Sequence, residues 1–329
     1  MTPTRILVTG GAGFIGSHYV RTLLGPDGPG NTAVTVLDAL TYAGNPANLD
    51  EVRGHPGFSF AHGDICDAEL VGRLMPGHDQ VVHFAAESHV DRSIDGGAAF
   101  VRTNVVGTHT LVHAAYETGV RTFVHVSTDE VYGSIDEGSW TEREPLAPNS
   151  PYSASKASSD LIALAYHRTH GLDVRVTRCS NNYGHHHFPE KVIPLFVTNL
   201  LEGRPVPLYG DGAHVRDWLH IDDHVQGIEL VRTKGRPGEV YNIGGGTELS
   251  NKELTRLLLE ACDADWDTDV IHVEDRKGHD RRYSVDCTKI REELGYAPRK
   301  DFRTGLAETV RWYRENRSWW EPLKERAAL

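Results

Sequence analysis

TGGAGFIG, Thr9 to Gly16, follows directly on the β-branched run RILVT (Arg5–Thr9) and opens the helical stretch Phe14–Leu24. In that strand–turn–helix setting each glycine has its own task. Gly10 permits the tight turn, Gly13 lets the backbone approach a pyrophosphate, and Gly16 allows close helix–strand packing. The N–H groups that open the helix then face anionic oxygens. Asp38 ends the next strand at the ~20-residue spacing of a dinucleotide fingerprint. Its carboxylate accepts ribose hydroxyls and repels a 2′-phosphate, so the expected cofactor is NAD rather than NADP. Asp64 and Ile65, in HGDI after the third strand, are placed to meet the adenine; an ordinary strand-end aspartate is the alternative.

Outward from the fingerprint, strand and helix signals alternate. Val34–Leu37, Gln80–Phe84, Thr122–Ser127 and Asp173–Cys179 read as strands, with a long helical segment from about Ala98 to Thr118. Apolar strands alternating with helices predict an α/β fold, a doubly wound parallel sheet of Rossmann type. After about Gly184 the alternation stops, and a smaller mixed α/β C-terminal lobe is expected, with Asn251–Cys262 and Phe302–Glu315 as amphipathic helices. The expected division is residues 1–184 plus about 222–245 for the dinucleotide domain, and about 185–221 plus 246–329 for the substrate domain. The run LIALAY, Leu161–Tyr166, is apolar around its whole helix and needs a second buried face. A helix-mediated dimer or burial within the monomer would each supply one.

The chain has 329 residues, 39% hydrophobic and 24% charged, enough for a sizeable core in two domains. Its net charge of −12 argues against nucleic acid and anionic membrane as partners, so an anionic ligand needs a local grip. The four cysteines, Cys66, Cys179, Cys262 and Cys287, form no CxxC pair, and no apolar run approaches bilayer length. A cytoplasmic protein is expected.

Tyr152 and Lys156, in PYSASK, stand at i and i+4 on one face of a helix starting near Pro151. An ammonium beside a phenol favours phenolate, which can take a hydroxyl proton as hydride leaves the same carbon. STDEVYG, Ser127–Gly133, follows the fifth strand and sets Thr128, Asp129 and Glu130 at the C-terminal edge of the sheet, where doubly wound folds bind ligands. Two carboxyls in one cleft can hold different protonation states and supply a general acid and a general base together. Ketone reduction or epimerisation through Tyr152 needs neither; elimination of water needs both.

These motifs, with AAESHVDRS (Ala85–Ser93), RCSNNYG (Arg178–Gly184), FPEKVIPL (Phe188–Leu195), PLYGDGAHVRDWLHIDDH (Pro207–His224) and GHDRRYSVD (Gly278–Asp286), resemble the dTDP-glucose 4,6-dehydratase family over nearly the whole chain. That family lies in the extended short-chain dehydrogenase/reductase superfamily. The resemblance implies a homodimeric lyase with tightly bound NAD, acting on dTDP-glucose. It implies that Tyr152 takes the proton of the 4-hydroxyl, that Thr128 hydrogen-bonds that oxygen, and that hydride passes to NAD. Glu130 would then remove the carbon-5 proton and Asp129 would protonate the departing 6-hydroxyl, before hydride returns to carbon 6. It adds Phe14, Ile15, Leu40, Thr41, Ala85 and Ala86 to the cofactor contacts. Glu87, Ser88 and His89 match a loop between cofactor and sugar, and Asn182, Glu190 and Lys191 match sugar and diphosphate contacts. Tyr209 matches a base-stacking position, while Arg216 and Asn251 match phosphate contacts. Arg281, Arg282 and Tyr283 belong to a basic stretch, Arg276–Tyr283, that reads as a clamp on two phosphates.

The chain departs from the family pattern at Gly184-His185-His186-His187, where Gly-Pro-Tyr-His is usual, and at Lys277, where proline is common. Adjacent loop histidines diverge, so a solvated loop is expected there and no metal. An epimerase or decarboxylase of the same superfamily would typically lack Asp129 and Glu130. GDP-mannose dehydratases tend to use NADP, which Asp38 disfavours. A non-catalytic dinucleotide sensor would be free to lose Tyr152 or Lys156.

Overall fold

The computed structural model describes residues 2–327. Its central sheet is built in chain order from β1 (Thr4–Thr9), β2 (Thr32–Asp38), β3 (Phe58–His62), β4 (Gln80–His83), β5 (Thr122–Thr128) and β6 (Val174–Cys179). A seventh strand, running Val240–Ile243, completes it beside β6. Every neighbouring pair is parallel, and the spatial order is β3-β2-β1-β4-β5-β6 followed by that last strand. The order reverses at β1, and the crevice beside its C-terminal end is where such sheets take ligands. The interior strands carry apolar side chains toward both faces, so helices cover both.

On one face lie α1 (Phe14–Leu24) and Ile221–Lys234; on the other, α2 (Ala68–Leu74), the Ala98–Glu117 region and Pro151–His170. Between α2 and Pro151–His170 the chain forms α3 (Val90–Asp95), α4 (Ala98–Phe100) and α5 (Thr108–Glu117). The long helix expected from Ala98 to Thr118 is widened by a π-helical stretch, Val101–Gly107. Within it Asn104, buried, accepts from the Glu87 N–H, donates to the Glu87 carbonyl at 2.9 Å and donates to Ser155 Oγ at 2.8 Å. π-bulges of this kind concentrate at functional sites.

α6 (Pro151–His170) starts on a capping box between Ser150 and Ser153, with Pro151 at its first turn, and ends on left-handed Gly171. Beyond β6 come β7 (Asn181–Tyr183), α7 (Val192–Leu201), β8 (Val206–Tyr209), β9 (Val215–His220), α8 (Ile221–Lys234) and β10 (Val240–Ile243). They are followed by β11 (Glu248–Ser250), α9 (Asn251–Cys262), α10 (Trp266–Asp269), β12 (Val270–Val273), α11 (Thr288–Leu294), α12 (Phe302–Glu315) and α13 (Arg317–Ala327). α8 and β10 return to the large sheet. The rest of this half carries two small sheets, β11-β9-β7 and β12-β8, and a second core containing Phe196, Trp218, Leu254, Leu306, Tyr313 and Trp320. The molecule is therefore a Rossmann-type sheet with a smaller C-terminal lobe.

The histidine run departs from its expectation in the tertiary structure. His185–His187 do not form a solvated loop: all three are half-buried, with His187 stacked on Phe14 at 4.2 Å and the other two rings against Trp312. Aromatic partners from α1 and α12 give these imidazoles apolar faces to pack on. In LIALAY, Ala163 and Leu164 are buried within the monomer, but Leu161 is 54% exposed.

Candidate active site

The glycine turn is packed as its spacing requires. Gly10 has φ +68°, and a Cβ there would lie 2.6 Å from the Ala85 nitrogen; one on Gly16 would lie 2.3 Å from the Gly10 carbonyl oxygen. A Cβ on Gly13 would meet only that same oxygen, at 3.3 Å, so this position is open on its other side. Gly13 also opens α1 without a side-chain cap, and Phe14 and Ile15 follow in its first turn. A free helix N-terminus beside an open glycine suits a pyrophosphate. Asp38 is buried and accepts N–H bonds from Ala12 and Leu40, both at 2.8 Å. Each carboxylate oxygen keeps a lone pair for a ribose hydroxyl. Leu40 has φ +50° and Thr41 is exposed. Ala85, within 3.4 Å of Thr9 Oγ1, and Ala86 follow β4 on the same sheet edge. Ile65 is buried, whereas Asp64 is half-buried, accepts from the Cys66 N–H and faces Arg102.

Thr128 closes β5, and Asp129–Tyr132 turns in one 3₁₀ step. The Thr128 hydroxyl accepts from the Glu130 N–H at 3.2 Å and donates to Asp129 Oδ1 at 3.3 Å. Asp129 Oδ2 is buried with no partner. Burial pushes the Asp129 carboxyl well above the usual range, and the neighbouring Glu130 and Asp217 push it further. Glu130 is also raised by burial, but the cations Arg276, Lys191 and Arg216 oppose that shift. Both carboxyls are thus raised by burial and both feel Arg216, but after burial the largest influences on Asp129 are carboxyls and those on Glu130 are cations. Tyr152 is buried one helix face away. Burial, then Glu130, raises its phenol well above the ordinary value, while a hydrogen bond with Thr128 lowers it. The i,i+4 spacing predicted a phenol lowered by its lysine; here Lys156 donates to the Val126 carbonyl at 2.9 Å and burial lowers it to about 8.

The residues expected to meet substrate come from both lobes. Glu87 is held by Asn104; Lys191 Nζ donates to the Ser88 carbonyl at 2.5 Å; His89 Nε2 is 3.9 Å from Glu190. Glu190 further accepts from Tyr42 and Arg92. Asn182 donates to the Ser180 carbonyl and meets His224 Nδ1 at 2.7 Å. Tyr209 donates to Asp91 at 3.4 Å. Arg216 is buried, lies over the Tyr283 ring at 4.2 Å and donates to the Asp280 carbonyl. Asn251 is half-buried at the first position of α9.

The basic stretch divides. Arg281 is exposed and bidentate to Asp211 at 3.0 and 3.1 Å, so it is engaged at the surface instead of clamping phosphates. Arg282 is likewise held by Glu248. The inward cation of this stretch is Arg276, whose charge acts on Glu130 and whose buried Nε has no partner. Nothing local in the sequence distinguishes Arg276 from Arg281. Asn104 and Tyr42 also escaped the sequence reading. The stacked His214 and His279 rings, 3.7 Å apart, share the Asp275 carboxylate. One ligand atom from each of His214, Asp275 and His279 lies within 4.8 Å of the others.

A family model described as GDP-mannose 4,6 dehydratase matches residues 7–309. The dTDP-glucose 4,6-dehydratase of Streptomyces griseus is 68% identical over 99% of both chains. The crystal structure of DesIV, a dTDP-glucose 4,6-dehydratase from Streptomyces venezuelae solved with NAD bound, is 65% identical with a TM-score of 0.95, covering 97% of this chain and 99% of that one. A UDP-glucose 4-epimerase from Thermotoga maritima shares the fold at TM-score 0.87 and 33% identity, covering 94% and 99%. Identity this high along both lobes, joined to an acid pair at the end of β5 beside Tyr152 and Lys156, places the chain in the dTDP-glucose 4,6-dehydratase family.

Proposed function

We propose that the protein dehydrates dTDP-glucose to its 4-keto-6-deoxy derivative, with NAD as a returning redox partner. The observation that carries this reading is the buried acid pair at the end of β5: Asp129, whose Oδ2 has no partner, is raised by burial, Glu130 and Asp217, while Glu130 is raised by burial but drawn down by Arg276, Lys191 and Arg216. Gly10, Gly13, Gly16 and Asp38 would hold NAD, which when bound accepts hydride from carbon 4 and gives it back at carbon 6. Tyr152 removes the 4-hydroxyl proton, with the Thr128 hydroxyl oriented toward the same oxygen and Lys156 supplying positive charge behind it. The resulting ketone acidifies the proton at carbon 5, which Glu130 takes as carboxylate. Asp129, kept protonated by its surroundings, gives its proton to the departing 6-hydroxyl, so water leaves. Atoms balance to substrate minus one water, with no net oxidation. Lys191, Arg216 and Arg276 are the inward cations available to the diphosphate, and Tyr209 and Tyr283 flank them.

The same inference covers assembly and location. Leu161, Val101, Val106 and Tyr116, on α6, the adjoining π-helical stretch and α5, are among the exposed large hydrophobics. A second copy would cover this face, giving a homodimer through paired helices. No described helix is long and apolar enough to cross a membrane, and the four cysteines are free; a cytoplasmic enzyme fits both.

The test is incubation with dTDP-glucose in heavy water. The expected product has lost one water and gained one solvent deuterium at carbon 5. An epimer that keeps its water, or unchanged substrate with NAD supplied, would overturn the reading.

A further inference from the structure

Glu190 is buried at the entrance to α7, yet its contacts run to the cofactor side of the cleft. Oε1 accepts from the Tyr42 hydroxyl at 2.9 Å, and Oε2 accepts from Arg92 Nε at 3.1 Å. The Arg92 guanidinium lies over the Tyr42 ring at 4.1 Å, and that ring meets Phe188 edge-on at 5.4 Å. One carboxylate thus ties together the loop after β2, helix α3 and the segment that enters α7. The neighbouring Lys191–Ser88 bond joins the last two again.

The loop so tied is the one that carries Asp38. Between Asp38 and Tyr42 the chain passes through Leu40 at φ +50°, a conformation a branched residue holds only where its surroundings over-determine it. The Leu40 N–H is fixed by Asp38 on one side, and Tyr42 is fixed by Glu190 on the other. The Glu190 contacts thus anchor the far end of the loop that begins at Asp38.

The proposed reaction gives such a tie a purpose. It is redox-neutral only if the reduced cofactor stays in place between oxidation at carbon 4 and reduction at carbon 6. An ordinary dehydrogenase exchanges its cofactor every turn; this chemistry stops if exchange occurs midway. We propose that Glu190 is a clasp: through Tyr42 and Arg92 it locks the Asp38–Tyr42 loop to the substrate lobe and retains the dinucleotide through the cycle. This rests on the dehydratase reading above. Glu190 is here a positioning residue, in addition to any contact it makes with the sugar.

The experiment loads wild-type, Glu190→Gln and Tyr42→Phe proteins with NAD and follows nucleotide release by ultrafiltration. It then measures free NADH in the filtrate during turnover of dTDP-glucose. Glu190→Gln should release NAD about tenfold faster or more, the scale of a lost charge-assisted hydrogen bond. Free NADH should appear as turnover stalls, with thermal unfolding little changed. Tyr42→Phe keeps the ring beneath Arg92 and should release NAD at an intermediate rate. Wild-type release rates in both variants, with only KM for dTDP-glucose raised, would overturn the clasp and leave Glu190 a sugar contact. A wild-type protein that neither binds NAD nor dehydrates would instead overturn the reading beneath it.

Discussion

Asp129 and Glu130 are neighbours in sequence with different electrostatic surroundings, and their substitution should separate two proton transfers. Asp129→Asn removes the acid but leaves Glu130 able to exchange the carbon-5 proton. Dehydration should fall by about 10²–10⁴, while solvent deuterium still enters carbon 5 of recovered sugar nucleotide. Glu130→Gln should lower dehydration to a similar degree with no deuterium entering. Mass spectrometry of recovered nucleotide separates the two, and identical labelling would refute the division of roles. Tyr152→Phe should lose oxidation at carbon 4 itself by about 10²–10⁴, checked as absence of near-ultraviolet absorbance from reduced nicotinamide. The identities of these residues were legible in the chain because they are contiguous or lie one helical turn apart. Residue spacing alone left open which carboxyl is the acid, and the family resemblance named Asp129; Asp217 from β9 raises Asp129, while Arg276 and Lys191 draw Glu130 down.

At the scale of elements, local pattern was reliable wherever apolar period and capping agreed. α1, α9 and α12 have the bounds their patterns predict, and α9 begins on a Ser250–Glu253 capping box. The π-helical stretch was not legible; the buried Asn104 within it bonds to Glu87 and Ser155, partners from other segments that the local pattern does not record. The turn into α1 gives a sharp prediction. An alanine Cβ at Gly16 would lie 2.3 Å from backbone that cannot move aside. Gly16→Ala should destabilise the fold by roughly 1–3 kcal/mol and abolish nucleotide retention. Thermal unfolding with and without NAD checks both parts, and a variant stabilised by NAD like wild type would contradict the packing argument.

Across the whole molecule, histidines withdrawn from solvent weaken the fold as the pH falls. Burial lowers His125 and His220 to about 4, and His186, His187 and His224 to about 3. Each pKa is below its unfolded value near 6.5, so the unfolded chain binds more protons as pH falls. Stability is complete above pH 6.5 and is lost as pH falls toward 4 and then 3. At about 1.4 kcal/mol per pH unit per group, five such residues remove several kcal/mol between pH 6 and 5. The unfolding temperature should therefore drop steeply over that interval, and a flat profile in calorimetry would contradict it. The exposed face carries the other prediction at this scale. If the proposed dimer forms through this face, Leu161→Lys combined with Val101→Lys should convert it to monomer in light scattering. An unchanged mass would place the interface elsewhere or remove it.

The primary sequence by itself determined the parallel sheet, the dinucleotide turn and the residues Thr128, Asp129, Glu130, Tyr152 and Lys156. Each depends on a period or spacing that the backbone converts directly into a shared face or a shared edge. Only the tertiary structure decided that Arg276 turns inward while Arg281 meets Asp211, that His185–His187 pack on Trp312 and Phe14, and that Tyr42 answers Glu190. Those outcomes join residues far apart in the chain, and no local propensity records which distant surface a side chain will meet.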